Sequence, residues 1–276
     1  GDVEQFLRLF VHQSPHVGFC VCGWILYRQS IIQKSPNGWG RESGVFDWQS
    51  IDTVLLDMDG TLLDLHFDNH FWLEYVPQRY ALARGMSEAL AKQELLARYG
   101  DIQGTLEWYC VDHWTRQLGL DIALLKQEVE HLIAVHPHVS DFLDLLGRAG
   151  KRRVLVTNAH QKSLGLKMRR TRLADRLDQI VCAHDIGLPK EDRGFWPCLR
   201  ECAAFDRART LFVDDSLAVL RSAREYGIAH LLTILLPDSR QAERRVDEFV
   251  AVRDFEDLLP GLRTYTRPPA SGMPTR

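Results

Sequence analysis

The sequence predicts an α/β fold in which a doubly wound, mostly parallel sheet carries an all-helical insertion after its first strand. Two observations support this. Short apolar runs rich in β-branched residues alternate with helical patterns, which is typical of a parallel sheet covered on both faces. The alternation stops once, between residues 60 and 150, where helical patterns continue without a good strand. That interval is too long for a single crossover connection, so an inserted helical unit is the simplest account.

The first strand is predicted in "TVLLDMD", residues 53–59, where an apolar run ends abruptly in Asp57 and Asp59. The helical insertion follows, and we place it at 64–140. Its helical patterns lie at about 70–84, 87–98, 104–118 and 123–135, and Ser87 is a candidate N-cap.

Four further strands complete the predicted sheet. They are "RRVLVTN" (152–158), "DQIVCAH" (178–184), "RTLFVDD" (209–215) and "AHLLTILL" (229–236). Helices are indicated between them. In "DSLAVLRSAREYG" (215–227), for example, Ser216 is a candidate N-cap and Gly227 a C-terminal stop. Residues 48–63 and 141–262 therefore form the predicted sheet domain.

The two ends of the chain differ from this pattern. Residues 1–47 contain the turn-rich run "SPNGWGRESG" and are treated as an extension of uncertain structure. Residues 263–276 contain the Pro-rich polar run "RPPASGMPTR" and are expected to form a disordered tail.

Composition argues against several classes of protein. The net charge is −3 and no basic block stands out, so no nucleic acid polymer is expected as a partner. The apolar run "VGFCVCGWILY" (17–27) is shorter than the roughly 18 residues of a membrane span and lacks a signal-peptide pattern. We therefore expect no membrane partner and take the cytoplasm as the default location. Six cysteines without a paired framework indicate free thiols; the oligomeric state stays open.

Seven polar or charged residues follow the predicted strands. They are Asp57, Asp59, Thr157, Asn158, Lys190, Asp214 and Asp215. The carboxyl ends of parallel strands meet at one edge of the sheet, where open α/β sheets bind ligands, so these side chains are expected to lie together. Neighbouring carboxylates repel one another, and a cation or a shared proton has to offset that repulsion.

A site for phosphoryl transfer satisfies these groups. A hard divalent cation such as Mg2+ takes one or two carboxylates together with water and phosphate oxygens. The phosphate needs cations and hydrogen-bond donors, which Lys190, Thr157 and backbone N–H groups can supply. An aspartate can attack phosphorus and form an aspartyl-phosphate. A second aspartate two residues further on faces the same side of an extended chain and can protonate the leaving oxygen.

The motifs "DMDGT", "VTN", "PK" and "VDD", in this order and at strand ends, resemble the four-motif signature of the haloacid dehalogenase superfamily of phosphatases. The resemblance covers about residues 50–260 and implies a Rossmann-like core of the haloacid dehalogenase type, with the inserted helices as a mobile cap. It implies that Asp57 is the nucleophile and Asp59 the general acid and base. The dehalogenases of this superfamily lack the second aspartate, so Asp59 favours phosphoryl transfer.

The same resemblance assigns the remaining site residues. Lys190 neutralises the charge of the nucleophile and the phosphate, and Thr157 and Asn158 bind the phosphoryl group. The metal is Mg2+, and its ligands come from Asp57, the backbone carbonyl of Asp59, Asp214 and, through the metal's surroundings, Asp215. These residues make up the candidate catalytic, substrate-binding and metal sites.

A narrower resemblance extends outside the four motifs. The segments are "WQSIDTVLLDMDGTLLDLHFDNHFW" (48–72), "TLEWYCVDHWTRQLGLDI" (105–122), "GKRRVLVTNAH" (150–160) and "GLPKEDRGFW" (187–196). Together they resemble bacterial GMP/IMP nucleotidases, which hydrolyse purine nucleoside 5′-monophosphates. The resemblance implies a Mg2+-dependent 5′-nucleotidase with a small nucleotide as substrate. The alternatives are a phosphatase for phosphoglycolate or a sugar phosphate, a phosphomutase of the same fold, and a catalytically silent phosphate-binding protein.

Individual residues also have simpler interpretations. Lys190 taken alone is a surface lysine, and His160 is either a substrate contact or an ordinary loop histidine. Trp108, Tyr109 and Trp114 are placed on one helix, where aromatic residues usually form core, although each is a candidate to stack on a purine base. Candidates for substrate contact after the first motif are His66, Phe67, Asp68 and Asn69.

Overall fold

A computed structural model describes residues 45–266 of the chain. Most of the predicted extension and residues 267–276 of the predicted tail lie outside this range. The described part of the extension includes Phe46, which is buried. The predicted start of the tail at 263 is wrong, because helix Leu259–Thr266 continues through it. Leu262 is fully buried in that helix, and the Thr266 hydroxyl donates to the Leu262 carbonyl at 3.0 Å.

Six strands form one sheet. They are β1 Thr53–Leu56, β2 Arg152–Thr157, β3 Gln179–Cys182, β4 Thr210–Val213, β5 His230–Ile234 and β6 Val250–Val252. Their order is β3-β2-β1-β4-β5-β6, and every neighbouring pair is parallel. The five predicted strands are confirmed. The sixth, β6, was not predicted, because its three residues are too few to show a period.

The described chain contains eleven α-helices. They are α1 His66–His70, α2 Val76–Arg84, α3 Glu88–Asp101, α4 Val111–Leu118, α5 Ile122–Glu128, α6 Val139–Arg148, α7 Gln161–Thr171, α8 Ala183–Ile186, α9 Phe195–Ala203, α10 Leu217–Tyr226 and α11 Leu259–Thr266. The predicted N-caps hold at Ser87 and Ser216, and Gly227 ends α10 in the left-handed conformation. A search of the described residues finds no helix with the length and apolar character of a membrane span.

Both faces of the sheet are covered. Leu55 of β1 and Phe212 of β4 pack in one cluster with side chains of α9 and α10. Successive strand residues point to opposite faces, and the neighbouring Leu56 and Val213 are also fully buried. The opposite face is therefore covered too, which confirms the doubly wound architecture. Burial of this kind stabilises the sheet by about 25 cal/mol per Å² of apolar surface.

Between β1 and β2, residues 66–132 form helices joined by turns, without a strand. The first helical run begins at His66 and passes through a π-helical turn, Phe71–Tyr75, before α2. Pro77 has no N–H to donate to the carbonyl four residues earlier, and the turn that precedes it is widened, a feature often found near functional sites.

The predicted helix at 104–118 is interrupted. Glu107–Tyr109 is a 3₁₀ turn, and Cys110 has an extended backbone and caps α4, accepting from the His113 N–H. The predicted helix at 123–135 ends at Glu128 and is followed by a second 3₁₀ turn, Glu130–Leu132. The chain changes direction at Cys110, so the residues before and after this break make different contacts.

Candidate active site

The sheet brings two of the predicted acids side by side. β1 lies between β2 and β4. The chain places β2 and β3 on one side of β1 and then β4, β5 and β6 on the other side. Asp57 follows β1 and its N–H donates to Val213 O at 2.9 Å, while the Asp214 N–H donates to Leu232 O at 3.1 Å. These bonds continue the sheet by one residue. Both acids therefore lie at the topological switch point, where open α/β sheets bind ligands.

Lys190 lies between these two acids. Its Nζ donates to Asp57 Oδ1 at 2.5 Å, to Asp214 Oδ2 at 2.7 Å and to Val156 O at 3.2 Å. The side chain is 3% exposed. Burial lowers the pKa of Lys190, but the Asp214 and Asp57 carboxylates raise it further, and the net shift is upward. The ammonium therefore stays charged in the buried site.

Asn158 holds the loop that carries Lys190. Its Oδ1 accepts from the Lys190 backbone N–H at 2.9 Å, and its Nδ2 donates to Glu191 Oε2 at 2.9 Å. Thr157 is 1% exposed, and its Oγ1 accepts from the Ala159 N–H at 3.0 Å. That contact uses the hydroxyl as an acceptor, so its O–H remains able to donate.

Three carboxylates form a compact cluster. Ligand oxygens of Asp57, Asp214 and Asp215 all lie within 4.8 Å of one another. Burial raises the pKa of Asp57 and of Asp214 to about 6 and the pKa of Asp215 to about 7. Lys190 contributes one positive charge against these three acids.

A hard divalent cation fits this donor set. Carboxylate oxygens are the ligands that Mg2+ prefers. A cation would offset both the burial of the three carboxylates, which is the main cause of their raised pKa values, and their mutual repulsion. Within the first motif, the Thr61 hydroxyl is buried and has no hydrogen-bond partner in the described part of the chain. Buried hydroxyls nearly always have such a partner, so this corner also suits a polar ligand.

Gly60 allows Asp215 to approach the first motif. Its φ is +83°, and a Cβ added to it would lie 2.7 Å from Asp215 Cγ. Only glycine adopts that backbone conformation at little cost, and only glycine leaves room for the carboxylate. The second residue of the "DGT" part of the motif is therefore glycine for a steric reason.

Asp59 faces a different partner. Its Oδ1 accepts from Lys167 Nζ at 2.6 Å, and the same ammonium contacts Asp68 Oδ2 at 2.6 Å. Burial raises the pKa of Asp59 to about 6, and the Lys167 charge acts against that rise. The pKa of the predicted acid is therefore closer to neutral pH than that of an ordinary aspartate, which suits proton donation and acceptance.

Lys167 and Lys126 were not predicted. Lys126 Nζ lies 3.0 Å from Asp68 Oδ1 and 4.3 Å from the centroid of the Phe71 ring. Burial raises the pKa of Asp68, but the Lys126 and Lys167 charges outweigh it and bring the value to about 2. The sequence did carry one signal. Lys167 follows Leu164 by three positions, on the buried face of α7, where a lysine requires a partner.

The other candidates after the first motif have contacts within the protein. Phe67 is buried, Asn69 Nδ2 donates to Asp238 Oδ2 at 2.7 Å, and His66 Nδ1 lies 3.8 Å from Asp238 Oδ1. Asp68, held by the two lysines, is the member of this group that reaches Asp59 through a shared partner.

The three aromatic candidates separate at the break in the helix. Trp108 and Tyr109 belong to the 3₁₀ turn and Trp114 to α4, so their predicted placement on one helix is wrong. Trp114 is 2% exposed and donates its Nε1–H to Trp108 O at 2.9 Å, which makes it core. Tyr109 donates its O–H to Glu191 Oε1 at 2.6 Å. It therefore connects the helical insertion to the loop that carries Lys190.

Comparison with known proteins places this geometry in context. A family model described as haloacid dehalogenase-like hydrolase matches residues 51–227. The GMP/IMP nucleotidase YrfG of Escherichia coli (strain K12) is 41% identical over 215 residues, which cover 78% of this chain and 97% of that protein. The predicted resemblance to both groups is confirmed.

Solved structures show the same fold. A HAD phosphatase from Thermococcus onnurineus aligns with a TM-score of 0.64 and 21% identity, over 75% of this chain and 96% of that one. The HAD-hydrolase YfnB of Bacillus subtilis, solved bound to magnesium, aligns with a TM-score of 0.54 and 20% identity, over 77% and 99%. At such low sequence identities, the likeness to these two structures shows a shared fold.

Proposed function

The chain belongs to the haloacid dehalogenase-like hydrolases and is a phosphoric monoester hydrolase, and from that premise we propose that it is a Mg2+-dependent 5′-nucleotidase. Its substrates in this proposal are purine nucleoside monophosphates, IMP and GMP first, which it hydrolyses to nucleoside and phosphate. The observation that carries the substrate class is the 41% identity to the Escherichia coli enzyme. That identity spans 97% of the relative, so it includes the helical insertion, and in this proposal that insertion is a cap that contacts the nucleoside.

The proposed reaction is a double displacement. Asp57 attacks phosphorus and forms an aspartyl-phosphate, and the leaving 5′-oxygen takes a proton from Asp59. Asp59 then accepts a proton from water, which attacks the phosphorus and releases phosphate. The pKa of Asp59, raised by burial to about 6, supports both halves of this role.

Lys190 and Thr157 serve the phosphoryl group in this proposal. The Lys190 ammonium already orients the Asp57 carboxylate at 2.5 Å and supplies positive charge where negative charge develops. The Thr157 hydroxyl has a free O–H to donate to a phosphoryl oxygen. Asn158 acts by holding the Lys190 loop through both ends of its amide.

The residues that would hold Mg2+ are Asp57, Asp214 and Asp215, together with the backbone carbonyl of Asp59. Bound there, Mg2+ would neutralise charge on the carboxylates and the phosphate. The three carboxylates with raised pKa values support this assignment.

A substrate panel tests the proposal. Phosphate release is measured from nucleoside monophosphates and sugar phosphates, with and without Mg2+, with Asp57→Asn as the matched blank. We expect Mg2+-dependent activity that prefers IMP and GMP and is absent from Asp57→Asn. Preference for a sugar phosphate or phosphoglycolate would keep the chemistry and replace the substrate. Turnover by Asp57→Asn would refute the nucleophile.

A further inference from the structure

A second cluster of ligand-type side chains lies apart from the carboxylates. Ligand atoms of Cys110, His160 and His184 are all within 4.8 Å of one another. Cys110 comes from the helical insertion, His160 from the end of the loop after β2, and His184 from α8 after β3. Three segments distant in sequence thus bring one sulfur and two imidazoles together.

One of these imidazoles has a nitrogen with no partner. His184 Nε2 is buried and has no hydrogen-bond partner among the residues that the structure describes. The Asn158 backbone raises the pKa of His184, although burial lowers it by more. Buried polar atoms nearly always have a hydrogen-bond partner, so the unpartnered Nε2 is available to a ligand.

The other imidazole is oriented by a hydrogen bond that its ring accepts. His160 caps α7, and its Nδ1 accepts from the Lys162 N–H at 3.3 Å. Its Nε2 lies 3.8 Å from Asp112 Oδ2, and its ring meets that of His184 edge-on at 5.0 Å. Burial lowers the pKa of both histidines, which favours the neutral form that binds metal ions. Because Nδ1 accepts from Lys162, neutral His160 carries its proton on Nε2, so a metal ion bound through either nitrogen would displace the Lys162 contact.

We propose that Cys110, His160 and His184 form a binding site for Zn2+ or a similar transition-metal ion, and that the ion links the helical insertion to the sheet domain. Sulfur and imidazole donors select such ions, whereas Mg2+ prefers oxygen, so the site differs in kind from the carboxylate cluster. Zn–S and Zn–N distances of about 2.3 and 2.1 Å require the three atoms to approach one another by up to about 1.4 Å. A fourth position is open to water or to Asp112.

The bridge has a functional consequence. Cys110 sits where the insertion changes direction, and His160 sits two residues beyond Asn158, so an ion that joins them restrains the insertion beside the site. Closing and opening of such a segment gates turnover in many enzymes. Zn2+ bound here is therefore expected to slow turnover. This consequence rests on the proposed function, whereas metal binding does not.

Co2+ is the probe for the binding test, because it replaces Zn2+ and reports its ligands by absorption. The full metal-free chain is titrated with Co2+ alone. We expect tetrahedral Co2+ bands in the visible, a thiolate charge-transfer band in the near ultraviolet, and loss of both on addition of Zn2+. Cys110→Ser should lose the thiolate band and weaken binding by more than the about 10–100-fold typical of an outer-shell loss. Serine is a good N-cap, so this variant keeps the start of α4.

Two further variants make the result decisive. Cys198→Ser, which removes an exposed thiol, should leave the bands unchanged, and His184→Ala should weaken binding as Cys110→Ser does. Bands that survive Cys110→Ser but disappear in the double variant Cys20→Ser/Cys22→Ser would assign the metal to the N-terminal thiols and overturn the site. In turnover assays, Zn2+ should inhibit the wild type and spare Cys110→Ser. Equal inhibition of both would overturn the bridge.

Discussion

At the scale of single residues, two buried lysines each contact a different pair of carboxylates in the site. Lys190 neutralises Asp57 and Asp214, and Lys167 neutralises Asp59 and Asp68. Each lysine is buried, and a buried charge that loses its partner is far more damaging than a surface pair. The two halves of the proposed reaction, nucleophilic attack and proton transfer, therefore depend on different ammonium groups.

Lys167→Met is expected to lower the free energy of unfolding by about 3–5 kcal/mol, because it leaves Asp59 without its cation and Asp68 with Lys126 alone. The Lys167 charge opposes the raised pKa of Asp59, so its removal should also move the acid limb of the kcat–pH profile to higher pH. Urea unfolding and the pH profile measure these effects. Lys162→Met, on the same helix but exposed, should change stability by less than about 1 kcal/mol. An unmoved acid limb in Lys167→Met would contradict the role assigned to Lys167.

Gly60→Ala is expected to lower stability by about 1–2 kcal/mol from its left-handed backbone and, in addition, to displace Asp215. Gly85→Ala is the matched control, because Gly85 also has a positive φ, +64°, but a Cβ there meets nothing within 4 Å. Both variants should lose thermal stability. Stabilisation by added Mg2+ should fall only in Gly60→Ala, and an equal fall in both would exclude the steric account.

At the scale of elements, the insertion and the sheet domain meet through a short polar chain. Tyr109 of the 3₁₀ turn contacts Glu191, Glu191 contacts Asn158, and Asn158 holds Lys190. The interruption at Cys110 makes this possible, since it frees Tyr109 from the helix that buries Trp114.

Tyr109→Phe removes the hydroxyl that donates to Glu191. We expect a loss of about 1.5–3 kcal/mol in the free energy of unfolding, the range for a hydrogen bond to a charged group. Tyr75→Phe is the control, because Tyr75 also donates to a glutamate, Glu128, but that pair lies at the surface and its loss should be under about 1 kcal/mol. If chemical denaturation showed equal losses in the free energy of unfolding for the two variants, the Tyr109 contact would be no stronger than the surface pair.

Only part of this arrangement of strands and helices could be predicted from the sequence. The buried strands and the polar residues directly after them are predicted from apolar runs that stop at polar residues, a signal contained within a few neighbouring positions. Lys190 lies beyond α8 and was assigned instead through the resemblance of its "PK" motif. β6 was missed because Val250–Val252 is too short for a period. The break at Cys110 and the partners of Lys167 were missed for another reason. They depend on contacts between residues far apart in the chain, such as Lys167 with Asp59, and local pattern carries little of that information.

At the scale of the whole molecule, the site makes stability depend on pH and metal. Burial raises the pKa values of Asp57, Asp59 and Asp214 to about 6, and that of Asp215 to about 7, from the ordinary aspartate value of 3.8. A group whose pKa rises on folding holds its proton more tightly when folded. Its contribution is complete below about pH 4 and is lost as the pH rises through the folded value.

The metal-free protein should therefore lose stability between about pH 4 and pH 7. Asp68 has a pKa lowered to about 2, so its favourable contribution is complete above about pH 4 and does not offset the loss. Mg2+ binds the ionised carboxylates, so its stabilising effect should grow with pH. Thermal unfolding with and without Mg2+ at about pH 5 and about pH 8 measures this. A Mg2+ effect that is the same at both pH values would contradict the assignment.

The position of β1 also has a consequence for how the chain acquires its structure. This central strand is the first strand of the described chain, yet its partners come late: Thr53 pairs with Arg152 on one side and Thr210 on the other. During synthesis the apolar strand emerges long before either neighbour exists, while the helices that follow it have local contacts to form at once. Long-range pairing of this kind slows folding and exposes strand edges meanwhile. β1, which leads into Asp57 of the proposed site, is therefore expected to stay without its strand partners for much of synthesis.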